Sequence, residues 1–220
     1  ISDLAPARRD PRYKAIAVGR GANLDLIDVP LNNRPWLTYR FAEIRKLGEE
    51  AERLRAIDEI VNWTNPGPGG FYDDLGNLAR QPRLVRGPGF EQDPAFLQSS
   101  LVGFGSRPVQ PPWRSSWRDH AESLNDAPLE MRYASLDPSA EYKVRVVYAG
   151  ENVPGIRLVA DDQFEVHPFI RKEFPVKPLE FDVPRQATED GKLSLKWRRT
   201  PGLGGNGRGC QVAEVWLIRK

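Results

Sequence analysis

The densest grouping of aromatic and polar side chains in the 220-residue sequence is Trp113 and Trp117 with Arg114, Arg118, Asp119 and His120. An indole offers a flat apolar face, and the charged and imidazole groups beside it offer hydrogen-bond donors and acceptors. Sugar rings present the complement, apolar C–H faces edged by hydroxyls, so this grouping suits a saccharide. The competing reading is packing, because Trp at i and i+4 falls on one face of a short helix and plugs a core. His120 alone reads as a structural hydrogen-bonding residue more readily than as a catalyst. Ser115, Ser116, Asp119 and His120 supply the residue types of a Ser-His-Asp triad, but adjacency in sequence sets no geometry. Neither a GxSxG elbow nor a P-loop motif is present, and no pair of carboxylates stands out for glycosidic cleavage.

A second set is acidic. Glu214 interrupts the apolar run from Gln211 to Arg219, on the expected face of Val212, Trp216 and Ile218. A carboxylate on a buried face is costly unless it is paired or bound to a metal. Asp73 and Asp74, in the turn Phe71-Tyr72-Asp73-Asp74-Leu75-Gly76, are candidates to complete an all-oxygen site with it. Hard oxygen ligands at loose spacing suit calcium better than zinc. The alternative is an ion pair between Glu214 and an arginine. Gly202-Leu203-Gly204-Gly205-Asn206-Gly207 satisfies GxGxxG, but a dinucleotide fingerprint must open a helix, and a strand pattern comes next here. What remains is a Gly-rich loop between strands, with Asn206 and Arg208 as candidate donors to a ligand. One cysteine, Cys210, and two separated histidines, His120 and His167, exclude an internal disulfide and a cysteine-rich zinc site.

These side chains must be positioned by three kinds of segment. Over residues 1–62, Asn33 is placed to cap a helix with Pro35 in its first turn, and Leu37, Phe41 and Ile44 recur at helical spacing. After Gly48, Ala51, Leu54, Ile57 and Val61 predict a second helix, the two forming a hairpin with one apolar stripe. Residues 63–112 hold eight prolines and eight glycines yet six aromatic anchors. That composition predicts ordered loops across 63–128, wrapped on a core. Beyond residue 128 the period becomes two: Leu129/Met131/Tyr133, Tyr142/Val144/Val146/Tyr148, Ile156/Leu158, Phe164/Val166, Leu179/Phe181/Val183 and Leu193/Leu195/Trp197. Short strands separated by Asp-Pro, Pro-Gly and Asp-Gly turns predict a mainly β, antiparallel, jelly-roll-like sandwich. The final run, apolar on both faces, belongs in the middle of a sheet.

Thirty-two basic against thirty acidic residues give a net charge of +2. No basic stripe or arm marks a nucleic-acid binder, and no apolar run approaches the roughly 20 residues of a membrane-spanning helix. The chain opens at Ile1 without methionine or leader, which reads as a processed product or a piece of something longer.

The late strands, Tyr142–Tyr148, Pro178–Pro184, Asp190–Trp197 and Ala213–Leu217, together resemble the galactose-binding-like β-sandwich, a superfamily that includes many carbohydrate-binding modules. The stretch Asn62–Gly76 resembles C-terminal regions of large secreted bacterial proteins of polysaccharide breakdown. The resemblance implies a non-catalytic domain over 63–220 that binds a glycan or braces an upstream catalytic domain or partner chain, in a secreted or periplasmic setting. It also implies a structural calcium near the closing strand, with Asp73, Asp74 and Glu214 as ligands. Residues 1–62 then read as a helical extension or the tail of an upstream domain. The rival expectations are a structural domain docking on a partner subunit, and a glycoside hydrolase with carboxylates in its loops.

Overall fold

The period-two segments pair into two antiparallel sheets. The computed structural model describes residues 34–77, 80–87, 101–104, 113–114, 117, 119–150, 155–202 and 208–220. Its strands are β1 (Phe71–Asp74), β2 (Leu101–Phe104), β3 (Asp119–Leu124), β4 (Leu129–Ala134), β5 (Tyr142–Tyr148), β6 (Ile156–Ala160), β7 (Phe164–Ile170), β8 (Leu179–Val183), β9 (Lys192–Arg199) and β10 (Arg208–Arg219). One sheet runs β2-β3-β10-β5-β8, and the other β4-β9-β6-β7. β10 also takes β1 along the edge it shares with β3: residues 208–212 pair with β3 and residues 214–217 with β1.

The alternating apolar side chains of the two sheets meet in one core. Leu129, Met131 and Tyr133, with their sheet neighbours Leu195 and Trp197, join Val144, Val146, Val215 and Leu217 of the other sheet, each aliphatic burial contributing about 1.5–3 kcal/mol. The architecture is a mainly β antiparallel sandwich with two helices before it, and β10 lies inside its sheet as its two apolar faces require. β1, β2 and β3 fall in the stretch expected to be loops. Asp119-His120-Ala121-Glu122-Ser123 is buried throughout, but its polar side chains carry no apolar alternation for a sequence reading to detect.

A bulge gives β10 its second role. Its register shifts between Val212 and Glu214, so Val212, Val215 and Leu217 join the inner core while Ala213, Trp216 and Ile218 join a separate cluster on the outer face. An extra residue in one strand re-aims the side chains beyond it. Glu214 therefore shares the outer face with Trp216 and Ile218 but not, as expected, with Val212.

The helices are α1 (Arg34–Ile44) and α2 (Glu50–Val61); Asn33 lies outside the described residues. Their buried stripe differs from the expected one. Trp36 and Ile44 are each 5% exposed, while Phe41, Leu54 and Val61 are open to solvent. α2 buries no residue fully. The indole of Trp36 sets the rotation of α1, because it inserts among aromatic rings on the outer face of the sheet.

Cys210 lies in the inner core, and burial pushes its thiol up to about 12. Only the thiolate is a good nucleophile. In buffer at pH 8 the folded chain should resist maleimide and react fully once denatured; rapid labelling of folded protein, followed by mass spectrometry, would contradict this burial.

Candidate functional site

The outer face of the β2-β3-β10-β5-β8 sheet is organised around Glu214, which is 1% exposed. Trp117 Nε1 donates to Oε2 at 2.6 Å, Tyr72 OH to Oε1 at 2.7 Å, and Trp63 Nε1 to both oxygens at 3.1 and 3.3 Å. Three aromatic side chains are thus its hydrogen-bond donors. Hydrogen bonds to an ionised acceptor are about twice as strong as neutral ones.

The other expected acids are engaged elsewhere. Asp73 lies opposite the inward-facing Val215 and accepts from Arg83 Nη1 at 3.0 Å, so it occupies the other side of the sheet from Glu214. Burial raises the Asp73 carboxyl above the usual range, opposed by the Arg83 charge. Asp74 does lie opposite Glu214, and its Oδ1 accepts the Gly76 N–H at 3.1 Å. Among the described residues, no three His, Cys, Asp or Glu side chains group so as to hold a metal ion.

Above Glu214 the aromatic layer alternates with guanidinium groups. Trp36 of α1 meets Trp63 edge-on with ring centroids 5.5 Å apart, and Trp63 meets Trp216 likewise at 5.7 Å. The Arg114 guanidinium lies 4.8 Å from the Trp36 ring and 4.4 Å from that of Trp63. Arg145, directly opposite Trp216 in the ladder, lies 5.2 Å from Trp63 and 5.0 Å from Trp216. Each such cation–π contact contributes about 0.5–2 kcal/mol. A cleft of about 190 Å³ opens here between the helices and the sheet, lined by Trp36, Arg40, Glu59, Trp63, Trp117, Arg145 and the segment 175–178. Arg40 Nη2 stands 3.5 Å from Glu59 Oε2 at its wall. Among the described lining residues Glu59 is the single carboxylate.

A buried polar group lies next to this layer. Lys172 Nζ donates to Ala149 O at 2.6 Å and to Gln211 Oε1 at 2.7 Å. Gln211 Nε2 donates to Glu122 Oε2 at 2.9 Å and lies 3.2 Å from His120 Nε2. A Cβ at Gly150 would come within 2.2 Å of the Gln211 side chain, and its φ of +77° also demands glycine. Burial lowers the Lys172 ammonium to about 7.

The residues expected to bind a ligand separate. Trp117 lines the cleft, 2% exposed, with its Nε1 donating to Glu214. Trp113 is half-buried and stacks on the exposed Phe174 at 6.5 Å. His120 is buried in the polar group with Gln211. Asn206 lies outside the described residues; the Arg208 backbone opens β10 opposite Leu124, and its side chain also lies outside them. Sequence reasoning missed Trp36, Arg40, Glu59, Trp63 and Arg145. The one available signal was Arg145, an outward basic residue between Val144 and Val146 in an interior strand.

No family model and no curated protein matches the chain. Among solved structures it is similar to the plant receptor-like kinase ANX2, with a TM-score of 0.44 and 9% identity over 68% of this chain and 47% of that one. It is also similar to the Podospora anserina GH26-CBM35 β-(1,4)-mannanase, with a TM-score of 0.39 and 7% identity over 70% and 28%. A third neighbour is the exo-β-1,3-galactanase of Phanerochaete chrysosporium, with a TM-score of 0.34 and 11% identity over 68% and 29%. The aligned part is less than half of each of those chains. No helix among the described residues is long and apolar enough to cross a membrane.

Two substitutions test this geometry. Glu214→Gln replaces one acceptor oxygen by an amide N–H₂ that meets two of the donors whichever way it turns, and should lower stability by about 2 kcal/mol, read as a lower urea midpoint; an unchanged midpoint would refute the hub. For Lys172, the folded value of about 7 lies below the ordinary lysine value of 10.5. The unfolded chain therefore holds the extra proton between these values, and stability should rise with pH across that window. Lys172→Met should flatten the rise; parallel profiles for the two proteins would show that Lys172 is not the group.

Proposed function

We propose that this chain is a non-catalytic carbohydrate-binding module, an accessory part of a larger polysaccharide-processing protein working in a secreted or periplasmic setting. The observation that carries this reading is the cleft between α1, α2 and the sheet. It combines indole rings, which match the C–H faces of a sugar, with Arg40, Arg145 and Glu59, which match its hydroxyls. At about 190 Å³ it is below the roughly 300–1,000 Å³ of sites that enclose a drug-sized ligand. It suits one sugar unit or a chain end, as a module that attaches to a polymer requires.

One observation favours a second reading, in which the helices dock on a partner chain. Phe41, Leu54 and Val61 are 40%, 58% and 74% exposed, and α2 buries no residue fully. A glycan array probed with the whole chain separates the two. Selective binding, weakened about tenfold or more by Arg40→Met or Glu59→Gln with the melting temperature held, supports the cleft. Silence across a broad array, with Leu54→Glu abolishing co-purification of a specific subunit, supports docking.

A further inference from the structure

We infer that the ligand of this cleft is an acidic saccharide, whose carboxylate or sulfate group is gripped by the guanidinium of Arg145 together with that of Arg40. This rests on the carbohydrate-binding reading above and adds the charge class of the ligand. Unmatched donors and unmatched charge both lead to it.

The Nε atoms of Arg40, Arg114 and Arg145, and Nη1 of Arg114, are buried without a hydrogen-bond partner. Among the described residues neither Arg114 nor Arg145 has a carboxylate within ion-pair distance. The acids nearby are otherwise engaged. Both oxygens of Glu214 accept from Trp63, Tyr72 and Trp117. Glu180, opposite Arg145 in the ladder, takes Lys143 at 2.8 Å. Lys177 at the rim is balanced by Glu173 at 2.8 Å. Of the charged groups described at the cleft wall, Arg40 is matched by Glu59 and Lys177 by Glu173, which leaves the Arg145 charge over.

Arg145 is part-buried on an interior strand, and a buried charge without a counter-charge is costly. Stacking on Trp63 and Trp216 offsets part of that cost, but a ring face accepts no hydrogen bond in the guanidinium plane. A neutral sugar hydroxyl would accept one N–H and leave the charge standing. An anionic oxygen pair answers both, since the planar fork of an arginine binds carboxylate or sulfate through two parallel N–H bonds. The indole walls then receive the ring that carries the anion.

The test is calorimetric titration of the whole chain with an oligogalacturonide, with its fully methyl-esterified form, and with a sulfated galactan oligosaccharide; acetate and inorganic sulfate serve as ions without a sugar. The free acid or the sulfated oligomer should bind at least tenfold more tightly than the ester, and the bare ions only weakly. Arg145→Gln, and independently Arg40→Gln on the helix, should reduce the acid-to-ester ratio to about two while the melting temperature holds. The sulfated arm tells which anion fits. Equal binding of acid and ester overturns the charge assignment and leaves the carbohydrate reading intact. Bare ions binding as well as the oligomers overturn the saccharide part. No binding of any of these probes, with neutral glycans also silent on the array, overturns both.

Discussion

A carboxylate enclosed by aromatic rings is the constraint on which the outer half of this protein depends. Glu214 sits on a central strand, under three side chains from segments far apart in sequence: Trp63 after the helices, Tyr72 on β1, and Trp117 before β3. Removing a carboxylate from water is unfavourable by several kcal/mol, and only multiple good donors restore the balance. Each donor must therefore stay in place, and with it the segment that carries it. One buried charge converts three loose connections into a fixed surface.

The sandwich consequently has two interiors of different character. Between the sheets aliphatic side chains predominate, with Trp197, Tyr133, Tyr142 and Tyr148 among them, and much of that packing would tolerate other apolar choices of the same volume. On the outer face the filling is indole and guanidinium in alternation, with rigid rings, directional edges and charge. Trp36 extends that layer to α1, so the helices attach through one indole rather than through a long apolar stripe. The cleft exists because the layer stops short there, between the arginine wall and the segment 175–178.

How much of this could be read from the residues depends on where the information lies. The strands from β4 to β10 were legible because alternation is local, and the burial of Tyr142, Val144 and Val146 or of Leu193, Leu195 and Trp197 obeys it directly. Glu214 was legible as a residue in need of partners. The partners were not, because they stand up to 151 positions away and indole N–H groups carry no charge to suggest a pair. β3 was illegible, since Asp119, His120, Glu122 and Ser123 are buried by cross-strand contacts that only the fold creates. In the helices, Leu54 and Val61 obeyed helical periodicity and still face solvent. Periodicity identifies a helix but does not say which side has a neighbour. The cleft residues Trp36, Glu59 and Arg145 come from three separate elements, and no spacing rule links them.

The position of β10 bears on how the molecule comes into being. It is the last of these strands in sequence, yet it holds β1, β3 and β5 through direct pairing. During synthesis those three strands leave the ribosome with their hydrogen-bonding edges open and the donors for Glu214 with nothing to bind. The sheet closes only when residues 208–217 arrive, so the large sequence separation of its contacts makes folding a late event. Until then those edges stand unpaired and open to pairing with other chains.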